Sequence, residues 1–305
     1  MTRTPVLLIG FNRPDTMKEV FRMVRKAQPL KLYYAVDCAR VGKTGEEDKV
    51  NAVKAIIQDV DWPCEVKTLF QSENRGCGYG PAEAISWAFE NEDRLIVLED
   101  DCVPSLSFFS FCDEMLERYK DDYRVNIISG RSHHQGTKFF ENQDYIFTHY
   151  AHTWGWATWK RAWKQFDIRM SDFPKFKKTG GANNFLFSEE ESCYFNKWFE
   201  SIYNNIEQEC THSWDAQWVY ARLKSGALGI VPAKNLIHNI GEFGTHSSGH
   251  QAVFDLQEEE LSDLIRHPLY VLPNREYESI HFHNHIHAVI PLYKRIYYRI
   301  RKWIK

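Results

Sequence analysis

Three consecutive carboxylates, Glu99-Asp100-Asp101, follow the apolar run Leu95-Ile96-Val97-Leu98. Acids at the mouth of a buried strand repel one another and lose solvation unless a cation compensates. A hard divalent ion, Mn²⁺ or Mg²⁺, held by one or two carboxylates and phosphate oxygens, is the simplest compensator for an all-oxygen donor set. The alternative is a solvated loop or a helix N-cap, because carboxylates also suit the start of the helix that follows. Polar residues cluster after other apolar runs as well: Gly10-Phe11-Asn12-Arg13-Pro14, Asp37-Cys38-Ala39-Arg40 and Glu73-Asn74-Arg75-Gly76. Gly76, Gly78 and Gly80 would let backbone approach a phosphate, but they form neither a dinucleotide fingerprint nor a Walker loop.

These groups are positioned by an alternation of short apolar runs and amphipathic stretches. Strands are expected at Val6 to Ile9, Leu32 to Val36, Cys64 to Phe70, Arg94 to Leu98 and Val125 to Ser129, with helices at Asp15 to Lys26, Glu46 to Val60, Pro81 to Glu90 and Leu106 to Tyr119. Such alternation means an α/β fold with an open, mostly parallel sheet, in which ligands sit at the carboxyl ends of the strands. From Gly130 to Asn184 the pattern becomes polar, Trp-rich and irregular, as in loops laid over a site, and helices resume near Glu189 to Ile206 and Trp214 to Lys224.

With 43% hydrophobic and 26% charged residues in 305, the composition is globular. No apolar run approaches the roughly 20 residues needed to cross a bilayer, and no cleavable signal is evident, so a cytoplasmic protein is expected. Seven scattered cysteines without a C-x-x-C pair argue against a disulfide framework or a thiolate zinc site. A net charge of -3 gives no case for nucleic acid. The charge is uneven, because Pro291 to Lys305 holds six Lys/Arg and no acid.

The succession Phe11-Asn12-Arg13-Pro14, Asp37, Asn74-Arg75-Gly76 and Val97-Leu98-Glu99-Asp100-Asp101, followed by Pro104 and Phe108-Phe109, resembles the GT-A nucleotide-sugar glycosyltransferases. Within them it is most similar to the N-acetylglucosaminyltransferase I type and related bacterial polysaccharide enzymes, over roughly residues 5 to 246. The resemblance implies a Rossmann-like GT-A domain over 1–250, a C-terminal helical extension over 251–305, and a metal-dependent, inverting transfer from a nucleotide diphosphate sugar, UDP favoured, to a glycan hydroxyl. It implies that Asn12, Arg13, Asp37, Asn74, Arg75, Glu99 and Asp100 line the nucleotide-sugar pocket. Asp101 is then the direct ligand of Mn²⁺ or Mg²⁺, and His246 a further metal or diphosphate contact. Asp215 in Ser213-Trp214-Asp215 matches the general base, although it could equally cap the helix it opens. Trp154, Trp156 and Trp214 match acceptor-side positions, with at least half of the aromatics in these segments expected to be core.

Two C-terminal features lie outside the resemblance. His281, His283, His285 and His287 alternate, so an extended strand would put all four on one face; a solvated His-rich edge is favoured over a transition-metal site. Wound as a helix, 291–305 is basic and amphipathic, which fits docking on an anionic membrane surface or packing on a protein partner. Membrane docking would suit a lipid-linked glycan acceptor in surface polysaccharide or lipopolysaccharide synthesis, with the protein peripheral on the inner face of the membrane. Two rival functions stand beside this one. A sugar-phosphate nucleotidylyltransferase would carry a Gly-rich signature after the first strand, which Gly10-Phe11-Asn12-Arg13-Pro14 lacks; a non-catalytic carbohydrate-binding protein would leave the acidic triplet unexplained.

Overall fold

A computed structural model describes residues 1–184, 186, 188–208, 211, 213–241 and 256–287. In chain order the strands are β1 (Val6–Gly10), β2 (Lys31–Val36), β3 (Glu65–Phe70), β4 (Arg94–Glu99), β5 (Cys102–Pro104), β6 (Val125–Ser129), β7 (Tyr145–Thr148), β8 (Trp156–Trp159), β9 (Leu228–Pro232) and β10 (Ile237–Asn239). The helices are α1 (Pro14–Ala27), α2 (Glu46–Ala55), α3 (Gly76–Ala88), α4 (Leu106–Arg118), α5 (Lys160–Trp163), α6 (Phe173–Lys178), α7 (Glu189–Glu207), α8 (Asp215–Lys224) and α9 (Arg275–His281).

Eight strands form one sheet in the order β3-β2-β1-β4-β8-β6-β9-β7. Strands β1, β2, β3, β4, β6 and β9 point one way, and β7 and β8 run against them. The expected mostly parallel α/β sheet flanked by helices is therefore present, with C-terminal helical structure beyond it. The near-continuous apolar runs have a direct cause, since the sheet is covered on both faces. Val6, Leu8, Ile96 and Leu98 enter a core built with α1, α2 and α4. The alternate residues Leu7, Ile9, Leu95 and Val97 enter a second core with α3 and a tryptophan cluster. A third, aromatic core joins α6, α7 and α8 to Tyr150 and Phe282.

The structure departs from the sequence expectation in three places. The irregular Trp-rich region contains β7 and β8, and β8 wedges antiparallel between β4 and β6. All four residues of β8 are buried, so the segment shows no alternation to reveal it. Helix α3 begins at Gly76, five residues before the expected Pro81, with its glycines wound into the first turns. Residues 275–287 form a helix followed by a π-turn over Phe282–Ile286, not a strand, and His281 is fully buried, which corrects the reading of a solvated histidine edge.

The early start of α3 rests on a side chain distant in sequence. Asp37, just past β2, accepts the N–H groups of Arg75 (2.8 Å) and Gly76 (2.9 Å), together with Cys38 N–H (2.8 Å) and Asn74 Nδ2 (3.2 Å). A carboxylate that satisfies orphan helix N-terminal donors and faces the positive end of the helix dipole is a strong cap. Asp37→Ala is expected to cost about 3 kcal/mol, from several charge-assisted hydrogen bonds lost together. Chemical denaturation of the variant measures that loss, and Asp37→Asn should recover only part of it.

Residues 256–287 pack on the same body. Glu260 accepts the N–H groups of Leu106 and Ser107 at the start of α4, and Arg266 pairs with Asp144 at 2.6 Å. Among the described residues no helix is long and apolar enough to cross a membrane.

Candidate functional site

The carboxyl ends of β1, β2 and β4 lie side by side, because β1 pairs with β2 and β4 in parallel register. The loop after β1 therefore faces the acidic triplet that ends β4. Arg13 reaches across this gap, pairing with Asp100 through Nη2 and with Asp101 Oδ2 through Nη1 at 2.9 Å. Burial opposes its charge, but Asp100 and Asp101 outweigh that and hold the guanidinium firmly protonated. Asp100 also accepts Phe11 N–H at 3.3 Å.

Asp101 is fixed from the far end of the chain. The two-stranded pairing of β5 with β10 sets Asn239 opposite Cys102, and Asn239 Nδ2 donates to Asp101 Oδ1 at 3.4 Å. Ile240 N–H donates to the Asp101 carbonyl at 2.8 Å. The chain then passes so close to the carboxylate that a Cβ on Gly241 would lie 2.2 Å from Asp101 Oδ2, so a side chain there would have to push the Asp101 carboxylate aside. His246 follows in a segment outside the described residues, as does the 291–305 tail.

Asp215 is the first residue of α8, where an acid also suits the positive end of the helix dipole, so the helix-start and base readings are compatible. It is exposed, yet near enough to Glu99 and Cys77 to oppose a further negative charge on either. Glu99 is pushed up to about 8 by burial first, then by Asp101, Asp100 and Asp215, with Arg13 acting against them. Asp100 is pushed up to about 6, chiefly by burial, which outweighs the stabilising Arg13. Cys77, in the first turn of α3, is pushed up to about 12 by burial and by Glu99 and Asp215. Four carboxylates from β4, the turn after it and α8 thus share one electrostatic neighbourhood in which Arg13 supplies the opposing charge.

This donor set suits a hard divalent cation. Its donors are all carboxylate oxygens, and burial together with their mutual repulsion pushes Glu99 and Asp100 up, so a cation among them would favour their ionised forms. The carboxylates do not close a complete cage by themselves, as expected where phosphate oxygens and water supply the other ligands. Asp101, expected from the sequence as the direct ligand, would hold such an ion, with Glu99 near it.

The remaining predicted residues fall in two groups. Asn12 and Asn74 brace loops: Asn12 Nδ2 donates to Glu46 Oε1 at 2.9 Å, and Asn74 Nδ2 donates to the Cys38 carbonyl at 2.6 Å. Arg75 turns along α3 to pair with Glu83 and with Glu73, the latter at 2.7 Å, and Asp37 is occupied by its four donors. Trp156 and Trp214 are buried and stacked on each other with centroids 5.6 Å apart, inside the core that includes Trp163 and Trp218. They present no face to an acceptor, so of the three expected platforms only Trp154 is partly exposed, with the Arg131 guanidinium 5.1 Å from its ring centroid. The Trp154-Gly155-Trp156 spacing has a steric cause: Gly155 has φ +57°, and a Cβ there would sit 2.2 Å from Ile237 Cδ1.

Sequence reasoning missed Glu46, Asn239, Cys77 and a histidine cluster. Glu46 joins the loops after β1 and β2, taking Asn12, the Arg40 N–H at 2.8 Å and the Arg40 guanidinium. The Arg40 hydrogen bond is the main cause that lowers the Glu46 carboxyl from 4.5 to about 2. A depressed carboxylate stabilises the fold above its unfolded-state value, and that stabilisation is lost as pH falls through the folded value. The melting-temperature gap between wild type and Glu46→Gln should therefore be open at neutral pH, equivalent to about 1–2 kcal/mol after solvent screening, and close between about pH 4.5 and 2. A pH series of thermal melts on both proteins checks this.

A cavity of about 540 Å³ opens beside the end of β2, lined by Cys38 to Gly45 and by α2. None of the clustered carboxylates lines it, so it is not the site described above.

No family model matches the chain, and no curated protein matches its sequence. Solved structures are similar at a low level. HddC from Yersinia pseudotuberculosis, complexed with GMP-PN, is 8% identical with a TM-score of 0.32, over 53% of this chain and 78% of that one. A UDP-glucose pyrophosphorylase complexed with UDP-glucose is 9% identical with a TM-score of 0.29, over 53% and 78%. The 4-diphosphocytidyl-2C-methyl-D-erythritol synthase from Anaerococcus prevotii is 10% identical with a TM-score of 0.34, over 65% and 96%. Scores of this size carry no functional information.

Proposed function

We propose that this chain is a divalent-metal-dependent glycosyltransferase of the GT-A type, moving a sugar from a nucleotide diphosphate donor, UDP favoured, to a glycan hydroxyl. The observation that carries the reading is that Glu99, at the carboxyl end of β4, lies within electrostatic reach of Asp101 beside it and of Asp215 from a distant part of the chain. A bound cation, held by Asp101 with Glu99 beside it, would neutralise charge on the departing diphosphate. The chain's own residues do the rest. Arg13, anchored by Asp100, presents a fixed positive charge towards the donor phosphates. Asp37 orders the Asn74-Arg75-Gly76 backbone along the nucleotide side. Asp215, exposed at the start of α8, takes the proton from the acceptor hydroxyl as that oxygen attacks the anomeric carbon, so the product has inverted configuration.

On this reading 1–250 is the catalytic domain and 251–305 an extension, and the acceptor belongs to surface polysaccharide or lipopolysaccharide synthesis. The 291–305 tail would dock on the inner face of the membrane, and deleting it should abolish association with anionic liposomes. The reading as a whole is tested by thermal shift with UDP, GDP, CMP and dTDP, each with and without Mn²⁺, because ligands of the native state raise its melting temperature. One nucleotide should stabilise the protein only when Mn²⁺ is present. No shift with any nucleotide would favour a carbohydrate-binding protein instead.

A further inference from the structure

Five histidines from three separate segments meet near Arg131. His133 and His134 follow β6, His152 precedes β8, and His281 and His285 come from α9 and its π-turn. Ring centroids are 5.0 Å apart for His281–His285, 5.0 Å for His134–His285, 5.5 Å for His134–His281, 5.0 Å for His152–His281 and 4.4 Å for His133–His285. Imidazoles packed this closely, with His281 fully buried, need a reason.

We infer that His134, His281 and His285 form a binding site for a transition metal of the zinc class, separate from the acidic cluster and independent of the donor reading. Their ligand nitrogens all lie within 4.8 Å of one another, and among the described residues no other group of three His, Cys, Asp or Glu meets that criterion. His281 ends α9 and His285 follows in the π-turn, which brings the two rings to 5.0 Å between centroids. The nitrogen geometry is specific. His281 Nδ1 is 3.4 Å from His134 Nε2, long for a hydrogen bond. Two nitrogens each about 2.0–2.1 Å from a tetrahedral zinc ion lie roughly 3.3 Å apart, which is the separation seen.

A neighbouring histidine is placed to select the tautomer. His281 Nε2 lies 2.9 Å from His152 Nε2, and if His281 donates there its Nδ1 carries the lone pair turned towards His134. His152 is thus a positioning residue, acting through His281. Three neutral imidazoles leave a fourth position open. The metal would tie the C-terminal helix to the carboxyl edge of β6.

The test uses the full chain with any affinity tag removed, stripped of metal and titrated with Zn²⁺ against a competing chelator. One tight equivalent is expected, with an intense visible spectrum when Co²⁺ replaces Zn²⁺, the sign of a four- or five-coordinate site. His134→Asn and His285→Asn, both at partly exposed positions, should each weaken Zn²⁺ binding about 100-fold or more while the metal-free melting temperature stays near wild type. His152→Gln should weaken it about 10-fold, and Asp101→Asn should leave it unchanged. Absence of a tight equivalent, unchanged affinity in both His134→Asn and His285→Asn, or the pale spectrum of six-coordinate Co²⁺ would each overturn the site. If Asp101→Asn alone removes the equivalent, the ion belongs to the acidic cluster and the histidine site is likewise overturned.

Discussion

Replacing Asp215 by Asn should lower sugar transfer by about 10²–10⁴-fold, the usual worth of a positioned general base, while donor binding is retained. The carboxylate is exposed, and its charge in the first turn of α8 contributes only about 0.3–1 kcal/mol against the helix dipole. Removing that charge also eases the repulsion on Glu99, which Asp215 helps to push up. The melting temperature of Asp215→Asn should therefore equal or slightly exceed that of wild type. Initial rates with saturating donor, taken with thermal melts, measure both quantities. A variant that transfers at the wild-type rate would place the base elsewhere.

The second large effect is expected at Asp101. Asp101→Asn keeps the size of the side chain beside Gly241 and leaves Arg13 its partner Asp100, so the metal-free protein should stay folded. Stabilisation by nucleotide with Mn²⁺ should vanish, and transfer should fall by about 10³-fold or more, equivalent to roughly 4 kcal/mol of lost transition-state stabilisation. The two variants separate the roles: Asp101→Asn loses donor binding and turnover together, Asp215→Asn loses turnover alone. A persisting Mn²⁺-dependent nucleotide shift in Asp101→Asn would move the metal to another ligand.

How much of this was legible in the sequence depends on whether the causes were local. Strands β1, β2, β4 and β6 could be read because both faces of the sheet are covered, which forces unbroken apolar runs. The acidic triplet could be read because it directly ends one of those runs. Helix α3 was misplaced because its cap, Asp37, comes from the end of another strand, and no local pattern shows that bond. β8 was hidden because Trp156 to Trp159 is central and fully buried, so its tryptophans passed for loop residues over a site. In the His281 to His287 stretch the alternation pattern, read as a strand, competed with the His281/His285 spacing of four, which is helical. The helix prevails because Tyr277, His281 and Phe282 are buried by packing on the body, a tertiary effect that outweighs local pattern. Asn239 and Glu46 carried no sequence signal, since each matters only through a partner brought near by the fold.

The central claim is that the edge bearing Asp101 and Asp215 splits a nucleotide sugar between its anomeric carbon and its diphosphate. The most direct measurement incubates the protein with Mn²⁺ and the sugar donor of whichever base stabilises it, and follows the products by mass spectrometry, first alone and then with added pyrophosphate. Release of the nucleoside diphosphate together with free sugar, water taking the place of the acceptor hydroxyl, without any need for pyrophosphate and lost in Asp215→Asn, is the predicted result. Formation of nucleoside triphosphate and sugar 1-phosphate only when pyrophosphate is added would contradict it and identify a nucleotidylyltransferase.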